Sequence, residues 1–277
     1  MFLSKVEVRE VLISYKTINS LREALGIHPK EIISLVGAGG KTTLMLALAR
    51  ELANNKGLVI TTTTTNILPP SSSESPFLLV SREEEEIVDF ILKNASKFGH
   101  ITIASEVLAD SGKLKGVNPE FILELKKLRP VDCIIIEADG AARRPLKAPN
   151  PAYEPMIPQT TTLVIPVVGI DALGCKLAEE NVFRSEIASK LTGLPLGETV
   201  SAETIVNLML HPSGIMRGSP VHARIIPFIN KIDLHADLSM ARNLASMILE
   251  TSHPRIDRVV LGQAQLHPPV VEVAFER

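Results

Sequence analysis

The stretch Gly37-Ala38-Gly39-Gly40-Lys41-Thr42-Thr43 lies between a short apolar run, Ile32–Val36, and an alanine- and leucine-rich segment, 44–54. An apolar strand, a glycine loop, a Lys-Thr pair and a helix, in this order, predict a phosphate-binding loop. The glycines let phosphate oxygens reach several backbone N–H groups, and the helix adds the positive end of its dipole. We expect Lys41 to reach the terminal phosphates and the Thr42 hydroxyl to bind Mg²⁺. The seven residues together predict a nucleoside triphosphate site.

The spacing of this loop leaves the type of reaction open. The usual pattern G-x-x-x-x-G-K-[ST] requires a glycine where the sequence has Leu35. A loop that begins at Gly37 resembles the short G-T-x-G-K-[ST] loop of the Mur ligases and the folylpolyglutamate synthetases. A strand-to-helix turn without a ligand is the alternative to a nucleotide site of any kind.

Composition limits the classes of function. With 277 residues, 45% of them hydrophobic and 22% charged, the chain can bury a sizeable core. We predict one domain, 1–277, in which residues 1–30 form an extension with a short helix over 17–25. A net charge of −2 without a basic stripe indicates that nucleic acid is not the partner. The apolar runs are too short to span a bilayer and Met1–Ile27 shows no secretory pattern, so we expect no membrane partner and a cytoplasmic location.

Apolar runs alternate with helical patterns along most of the chain. The predicted strands are 32–36, 58–62, 77–80, 101–104, 133–137, 162–168, 225–229 and, as the final strand, 258–261. The predicted helices are 43–54, 83–94, 119–128, 185–192, 202–210 and 238–249. Continuous Val/Ile/Leu runs are typical of parallel strands that are covered on both faces. The pattern predicts an α/β fold, a doubly wound and mostly parallel sheet of the P-loop NTPase type with helices on both faces.

A second candidate site follows the apolar run Ile134–Ile136. A carboxylate at the end of a buried strand is costly unless a cation or hydrogen-bond donors satisfy it, and ligands bind at the strand ends of open α/β sheets. We therefore predict that Glu137 is the Walker B carboxylate that holds Mg²⁺ and its waters. Asp139 is expected to position the attacking water, and Gly140 to bring its N–H near the γ-phosphate. The alternative is an ordinary Asp-Gly turn.

Cations and hydroxyl groups surround these carboxylates in the sequence. Arg143, Arg144 and Lys147 either stabilise charge on a transferring phosphoryl group, with Arg143 as the catalytic candidate, or pair with the nearby acidic residues. The run Thr61–Thr65 ends the second predicted strand. One hydroxyl of this run is expected to ligate Mg²⁺, with Thr63 as the candidate.

The third motif is Asn230-Lys231-Ile232-Asp233, which follows an apolar run. Asn-Lys-x-Asp after an apolar strand is the guanine-reading motif of GTPases. In that motif Asp233 accepts hydrogen bonds from the N1–H and N2–H₂ edge of guanine, the Lys231 stem covers the base and Asn230 ties the loop back. Adenine does not offer that pair of donors, so the sequence predicts GTP as the cofactor, with ATP and a chance match as alternatives. Gly262, in the loop after 258–261, is expected to close over the base.

Six stretches carry a resemblance to a known family. They are V-G-A-G-G-K-T-T-L (36–44), T-T-T-T-N-I-L-P-P (62–70), E-A-D-G-A-A-R-R-P-L-K-A-P (137–149), E-P-M-I-P (154–158), V-V-G-I-D-A-L-G (167–174) and N-K-I-D (230–233). In these stretches the chain resembles the YqeC family. The resemblance implies an accessory role in the maturation of selenium-dependent molybdenum hydroxylases, with such a hydroxylase or its cofactor-assembly proteins as partners. Tyr153 and Phe183 stand where we expect histidine from the family pattern.

A wider resemblance concerns the class of nucleotide-binding protein. The E-x-x-G of 137–140 with N-K-x-D downstream is similar to the hydrogenase and urease nickel-insertion GTPases, of the class that includes signal-recognition and MinD-type proteins. This resemblance implies a nucleotide-gated homodimer as one assembly. The main hypothesis is a Mg²⁺-dependent GTPase. The alternatives are a ligase or kinase that acts on a small anionic cofactor precursor, in a pocket lined by 169–174 and 184–186, and a non-hydrolysing nucleotide-gated binding module.

Overall fold

The apolar runs of the sequence form a large, mostly parallel sheet in the computed structural model, which describes residues 12–53, 57–234 and 237–276. Residues 1–11, the first part of the predicted N-terminal extension and of the Met1–Ile27 stretch without a secretory pattern, lie outside these ranges. Asn54, the last residue of the predicted helix 43–54, also lies outside them. Across the described ranges, no helix is long and apolar enough to cross a membrane.

Within the described residues the main sheet has eleven strands, and five short strands form two smaller sheets. The strands are β1 Ile13–Lys16, β2 Glu31–Gly37, β3 Leu58–Thr63, β4 Asn66–Ile67, β5 Leu78–Val80, β6 His100–Ala104, β7 Glu106–Val107, β8 Leu114–Lys115, β9 Val131–Glu137, β10 Leu146–Lys147, β11 Leu163–Gly169, β12 Val182–Phe183, β13 Arg224–Ile225, β14 Phe228–Asn230, β15 Arg258–Gly262 and β16 Val270–Glu276. The helices are α1 Leu21–Ala24, α2 Lys41–Ala53, α3 Glu84–Asn94, α4 Phe121–Lys127, α5 Ser185–Thr192, α6 Ala202–Leu210 and α7 Ser239–Glu250, with 3₁₀ turns at Ile170–Ala172 and Ile232–Leu234.

The order of strands places β2 between β9 and β11. The main path runs β1-β16-β15-β14-β11-β2-β9-β3-β6-β5, with β13 beside β11. The pairs from β5 to β15 are parallel, whereas β16 runs antiparallel to β15 and β1. The chain leaves β2 toward β3 and leaves β11 toward β14, on opposite sides. This reversal is a topological switch point, where the carboxyl ends of an open α/β sheet leave a crevice for ligands.

Helices cover both faces of the sheet. Side chains of a strand alternate between the faces, so Ile33 and Leu35 of β2 pack with α1 and α2. Ile32 packs on the other face with α3 and α4, and Val36 with the cluster that contains α5, α6 and α7. Burial on both faces is the reason that β2 and β11 are buried at every residue and are apolar along nearly their whole length.

Each predicted strand and helix has a counterpart in the structure, with three differences. The predicted strand 225–229 is divided into β13 and β14 around Pro227, because proline has no N–H for the ladder. The predicted helix over 17–25 is the short α1. The prediction that 258–261 is the final strand is wrong, since β16 follows it and pairs with both β15 and β1.

A row of buried polar groups joins β3 and β6 around His100. The Nε2 atom of His100 lies 2.8 Å from the Thr61 hydroxyl, which lies 2.7 Å from that of Thr102. Thr102 donates to Ser75, and Ser75 donates to the carbonyl of Phe77. Each hydroxyl has one proton, so Thr61 must donate to Thr102 and accept from Nε2–H of His100. The row therefore fixes the tautomer of a neutral, buried histidine.

The pH dependence of stability tests this environment. Burial, with the charge of Arg50, lowers the pKa of His100 to about 4, whereas an unfolded histidine titrates near 6.5. Between these values the unfolded chain binds a proton that the folded chain does not, so stability is lost as the pH falls, by about 3 kcal/mol in full. We expect His100→Gln, which keeps an N–H donor without a titration, to show less loss between pH 7 and pH 4 in urea unfolding. An equal loss in both proteins would contradict the assignment.

Candidate functional site

The motifs of the sequence gather at one edge of the sheet. The loop 37–40 follows β2, the segment 63–65 ends β3, 137–140 ends β9 and 230–233 ends β14. These four strands are parallel, so their carboxyl ends meet at the same edge. The register pairs Leu35 of β2 with Glu137, which sets the Glu137 backbone beside the strand that carries the glycine loop.

The glycines of the loop are required by the protein's own packing. A Cβ atom on Gly39, whose φ is +84°, would lie 2.1 Å from the backbone nitrogen of Gly169 at the end of β11. On Gly40 it would lie 2.4 Å from Nδ2 of Asn230, and on Gly37 2.5 Å from the carbonyl of Val167. The loop is therefore packed closely against the ends of β11 and β14.

Three N–H groups of the glycine loop already have hydrogen-bond partners within the protein, so fewer of them can bind phosphate. The N–H groups of Gly37, Ala38 and Gly39 donate to Asp139, Val167 and Arg144, respectively. Helix α2 begins at Lys41, and the first N–H groups of a helix have no partner within it. The N–H groups of residues 40–43 are thus the ones that remain for an anion at the start of α2.

Lys41 is buried against the two carboxylates that end β9. Its Nζ atom donates to the Gly37 carbonyl at 2.6 Å and lies 3.1 Å from Oδ1 of Asp139 and 3.6 Å from Oε1 of Glu137. Burial lowers the pKa of Lys41, but Asp139 and Glu137 outweigh burial and leave this pKa above its ordinary value. Lys41 is therefore a charged ammonium group in the folded protein.

Glu137 joins the glycine loop, α2 and β3. The Thr42 hydroxyl donates to Oε2 of Glu137 at 2.6 Å, and the Thr63 hydroxyl donates to its backbone carbonyl at 2.7 Å. Burial raises the pKa of Glu137, and Lys41 and Thr42 offset this only in part. The three predicted metal-binding residues Thr42, Thr63 and Glu137 thus lie together, although Thr63 contacts the main chain of Glu137.

Asp139 lies between two lysines. Its Oδ1 atom faces Lys41, and its Oδ2 atom lies 3.1 Å from Nζ of Lys147, which is fully buried. Lys147 also donates to the carbonyl of Gly140 and to the carboxylate of Glu154, both at 2.6 Å. Arg184 donates to both carboxylate oxygens of Glu154, one of which also accepts from Lys147. We call Asp139, Lys147, Glu154 and Arg184 the ion row.

The ion row includes only one member of the cluster of cations 143, 144 and 147. Lys147 pairs with acidic residues, as the second alternative predicts. Arg144 donates to the carbonyl of Glu179, and Arg143 is exposed and forms no ion pair within the described residues. Burial raises the pKa of Glu154, but Arg184 and Lys147 outweigh it and hold this pKa below its ordinary value.

Asn230 connects three loops at the other side of the site. Its Nδ2 atom donates to the Gly39 carbonyl at 2.8 Å, and its Oδ1 atom accepts from the N–H of Ala264 at 2.9 Å. The side chain therefore ties the glycine loop to the loop that follows β15. Gly262 was expected in that second loop but is the last residue of β15. It leaves room for the ring of Phe228, which a Cβ atom would approach to 2.2 Å.

Lys231 and Asp233 lie at the surface of this region. Lys231 has a φ of +64° and contacts Asp171 through Nζ at 2.7 Å, and Asp233 is exposed in the 3₁₀ turn. Asp171 was predicted only as part of a second pocket. Its position opposite Lys231 was not predicted, because 60 positions of sequence separate the two residues.

The donor set fits a cation that is bound in part by its ligand. In the described ranges, no group of three or more His, Cys, Asp or Glu side chains is arranged to hold a metal. Mg²⁺ is usually held by one or two carboxylates with substrate phosphates and water, not by a complete protein cage. Thr42 at the start of α2 and Glu137 at the end of β9 fit that pattern.

Fold and site together define a mixed α/β protein whose charged and polar residues converge at the carboxyl ends of a mostly parallel sheet. A family model described as "YqeC protein" matches residues 33–186, more than half of the chain. The chain therefore belongs to the YqeC family. It is also 33% identical over 247 residues to "Uncharacterized protein YqeC" of Escherichia coli (strain K12), over 86% of this chain and 90% of that protein. The family model includes the glycine loop, the carboxylates of β9 and the ion row, and it ends before Asn230.

Proposed function

We propose that the protein is a Mg²⁺-dependent P-loop nucleoside triphosphatase that prefers GTP, and that it acts as an accessory factor in the maturation of a selenium-dependent molybdenum hydroxylase. The observation that carries the nucleotide part is the contact of Lys41 and Thr42, neighbours at the start of α2, with the carboxylates of Glu137 and Asp139. The maturation role is supported by membership of the YqeC family and by the resemblance of the six sequence stretches.

The balance of buried charge supports phosphate and Mg²⁺ as the ligands. A triphosphate would attract Lys41 away from the carboxylates. Asp139 would keep Lys147 as its cation, whereas the carboxylate of Glu137 would keep only the Thr42 hydroxyl. A buried carboxylate without a cation is costly, so release of Lys41 creates a demand for positive charge at Glu137.

The residues of the chain then have separate tasks. Thr42 and Glu137 would hold Mg²⁺, directly or through water, and the bound ion would supply positive charge to neutralise the charge that develops on the phosphate. The N–H groups at the start of α2 bind phosphate oxygens, and Lys41 reaches the terminal ones. Oδ1 of Asp139 is buried and accepts no hydrogen bond from the described residues, so it is free to orient the attacking water once Lys41 moves.

Titration of fluorescent GTP and ATP, with Mg²⁺ and with a chelator, tests the proposal. We expect binding to depend on Mg²⁺ and GTP to bind more tightly than ATP. Absence of binding of both nucleotides would overturn the proposed function. Purification of a molybdenum hydroxylase from cells with and without this protein tests the accessory role, and an equal content of active cofactor would contradict it.

The Thr42 hydroxyl provides a more specific prediction. Thr42→Val keeps the shape of the side chain but removes the oxygen that contacts Glu137. We expect the Mg²⁺ concentration at half-maximal GTP binding to rise about tenfold, because the variant lacks one of the oxygen ligands that would hold Mg²⁺. Thr42→Ser is the matched control and should bind as the wild type. An unchanged Mg²⁺ dependence of Thr42→Val would exclude Thr42 as a ligand.

Guanine preference is supported by Asn230, which ties the glycine loop to the N-K-x-D motif. We expect Asp233→Asn to lower the ratio of GTP to ATP affinity at least about tenfold, because an amide cannot accept both guanine hydrogen bonds. Asp237→Asn is the control, since Asp237 is an exposed aspartate outside the motif. Competition binding of GTP and ATP measures the ratio, and an unchanged ratio contradicts the base assignment.

The short loop keeps a ligase or kinase as the second candidate. This alternative rests on the loop that begins at Gly37 and on the three cations Arg143, Arg144 and Lys147, which would suit an anionic substrate. Of these cations, Lys147 is buried against Asp139 and Glu154 in the ion row. Mass spectrometry of reactions with candidate acids distinguishes the two. A phosphorylated or adenylated product supports the ligase or kinase, and turnover that requires only a protein partner supports the GTPase.

A further inference from the structure

A cavity of about 790 Å³ lies at the carboxyl ends of β3, β5 and β6. Its walls come from the segments 64–66, 81–87, 105–106 and 115–121, together with Met156. Neither the glycine loop nor the predicted pocket at 169–174 lines it. Its size is in the range of small-molecule sites, and the carboxyl ends of parallel strands are where such sites form. We call it the side cavity.

Hydrogen bonds connect two walls of the side cavity to the segment 137–139, which carries the proposed catalytic carboxylates. The Thr64 hydroxyl donates to the carbonyl of Met156 at 2.8 Å, and the N–H of Met156 donates to the carbonyl of Ala138 at 2.9 Å. Ala138 lies between Glu137 and Asp139, and the preceding Thr63 contacts Glu137. The side cavity is therefore next to the nucleotide site, with one shared wall.

Apolar and polar residues both line the side cavity, and exposed polar residues form its rim. Ile87, Val117 and Phe121 line it and are buried. Asn66 contributes an exposed amide to the lining, and Ser105 a hydroxyl that donates to the carbonyl of Gly116 at 2.7 Å. This combination fits a ligand with an apolar body and hydrogen-bonding groups at its edges.

The charges of the rim cancel. Arg82 pairs with Glu106, and Lys115 and Glu84 add one charge of each sign, so the lining has two positive and two negative side chains. Glu84 is also the first residue of α3, where its carboxylate offsets the positive end of the helix dipole. A rim of this kind gives a polyanion no net attraction.

We propose that the side cavity binds a neutral, hydrogen-bonding heterocyclic molecule, the second substrate of the nucleotide-dependent reaction. The role as substrate rests on the proposed function, whereas the binding itself does not. Thr64 and Met156 connect the cavity to the segment 137–139. Binding in the cavity is therefore expected to depend on whether Lys41 contacts Glu137 or a phosphate.

Saturation-transfer NMR with cytosine, hypoxanthine and nicotinamide as neutral probes, and with citrate and pyrophosphate as polyanions, tests the proposal. GDP and Mg²⁺ are present in excess to fill the nucleotide site. We expect transfer to the neutral probes and none to the polyanions. Absence of transfer to all three neutral probes, or transfer to the polyanions alone, would overturn the proposal.

Two variants localise the binding. Ser105→Phe fills the cavity and should weaken binding of the neutral probes at least about tenfold, while Ser213→Phe, at an exposed position outside the cavity, should not change it. Asn66→Ala, which removes only a rim amide, should weaken binding without affecting folding, with Asn243→Ala as its control. Equal binding by Asn66→Ala and Ser105→Phe variants and wild type would place the probes elsewhere.

Nucleotide binding is measured on the same samples. If the wild-type protein binds the neutral probes but no nucleotide, the proposed function is refuted and the proposal of a ligand site in the side cavity stands. Retained nucleotide binding without probe binding would refute the cavity site alone.

Discussion

Lys41→Met is expected to lower nucleotide turnover by about 10²–10³-fold, the usual cost of removing a group that stabilises transition-state charge. The affinity for GTP should fall more than that for GDP, because Lys41 is expected at the terminal phosphates. The variant should still fold, since burial already raises the pKa of Glu137 and its carboxyl can take up a proton when the ammonium group is removed. Single-turnover hydrolysis and competition binding of GTP and GDP measure the two effects.

Lys97→Met is the matched control for Lys41→Met, because Lys97 is exposed in the turn after α3 and its side chain bonds only to Asn94 among the described residues. It should hydrolyse and bind nucleotide as the wild type does. Turnover of Lys41→Met within twofold of the wild type would show that Lys41 serves only to balance the charge of Glu137 and Asp139, and the proposed function would then lose its main support.

The sequence predicted the central strands because their apolar runs are long and uninterrupted. β16 was not predicted, because its sequence, V-V-E-V-A-F-E, has charged residues among the apolar ones. Such a pattern is expected of an antiparallel strand near the edge of the sheet. β1 is short, only partly buried and ends in Lys16. Such strands gain their stability from the neighbour with which they pair, and sequence alone does not identify that neighbour.

The candidate site was predictable in its motifs but not in its contacts. Glycine, lysine and strand-end carboxylates have local signatures, so the loop and Glu137 could be found from spacing. The ion row depends on how the segment 138–158 folds back to bring Lys147 against Asp139 and on the approach of Arg184 from another element. No spacing rule describes such contacts, and the clue in the sequence was only the presence of Lys147 and Glu154 in two of the six family stretches.

Lys147→Met is expected to lower the free energy of unfolding by about 3–5 kcal/mol, because the three carboxylates of Glu137, Asp139 and Glu154 would then have only Lys41 and Arg184 as cations among the described residues, one buried negative charge in excess. Lys147 is fully buried and contacts both Asp139 and Glu154. The double variant Lys147→Met with Glu154→Gln restores the balance of charge and should recover part of the loss. Lys93→Met removes an exposed pair and should change stability by less than about 0.5 kcal/mol. Urea unfolding of the four proteins measures these differences.

Lys147→Met should also weaken the binding of a nucleoside triphosphate, although Lys147 is not expected to touch the nucleotide. Without Lys147, Lys41 is the one remaining cation beside Asp139 in the described part of the chain, so its release to a triphosphate leaves a buried carboxylate alone. We expect the affinity for GTP to fall at least about tenfold. The affinity for guanosine, which has no phosphate to attract Lys41, should stay unchanged. Isothermal titration with both ligands measures the difference, and an equal loss for both would mean that Lys147 supports only the fold.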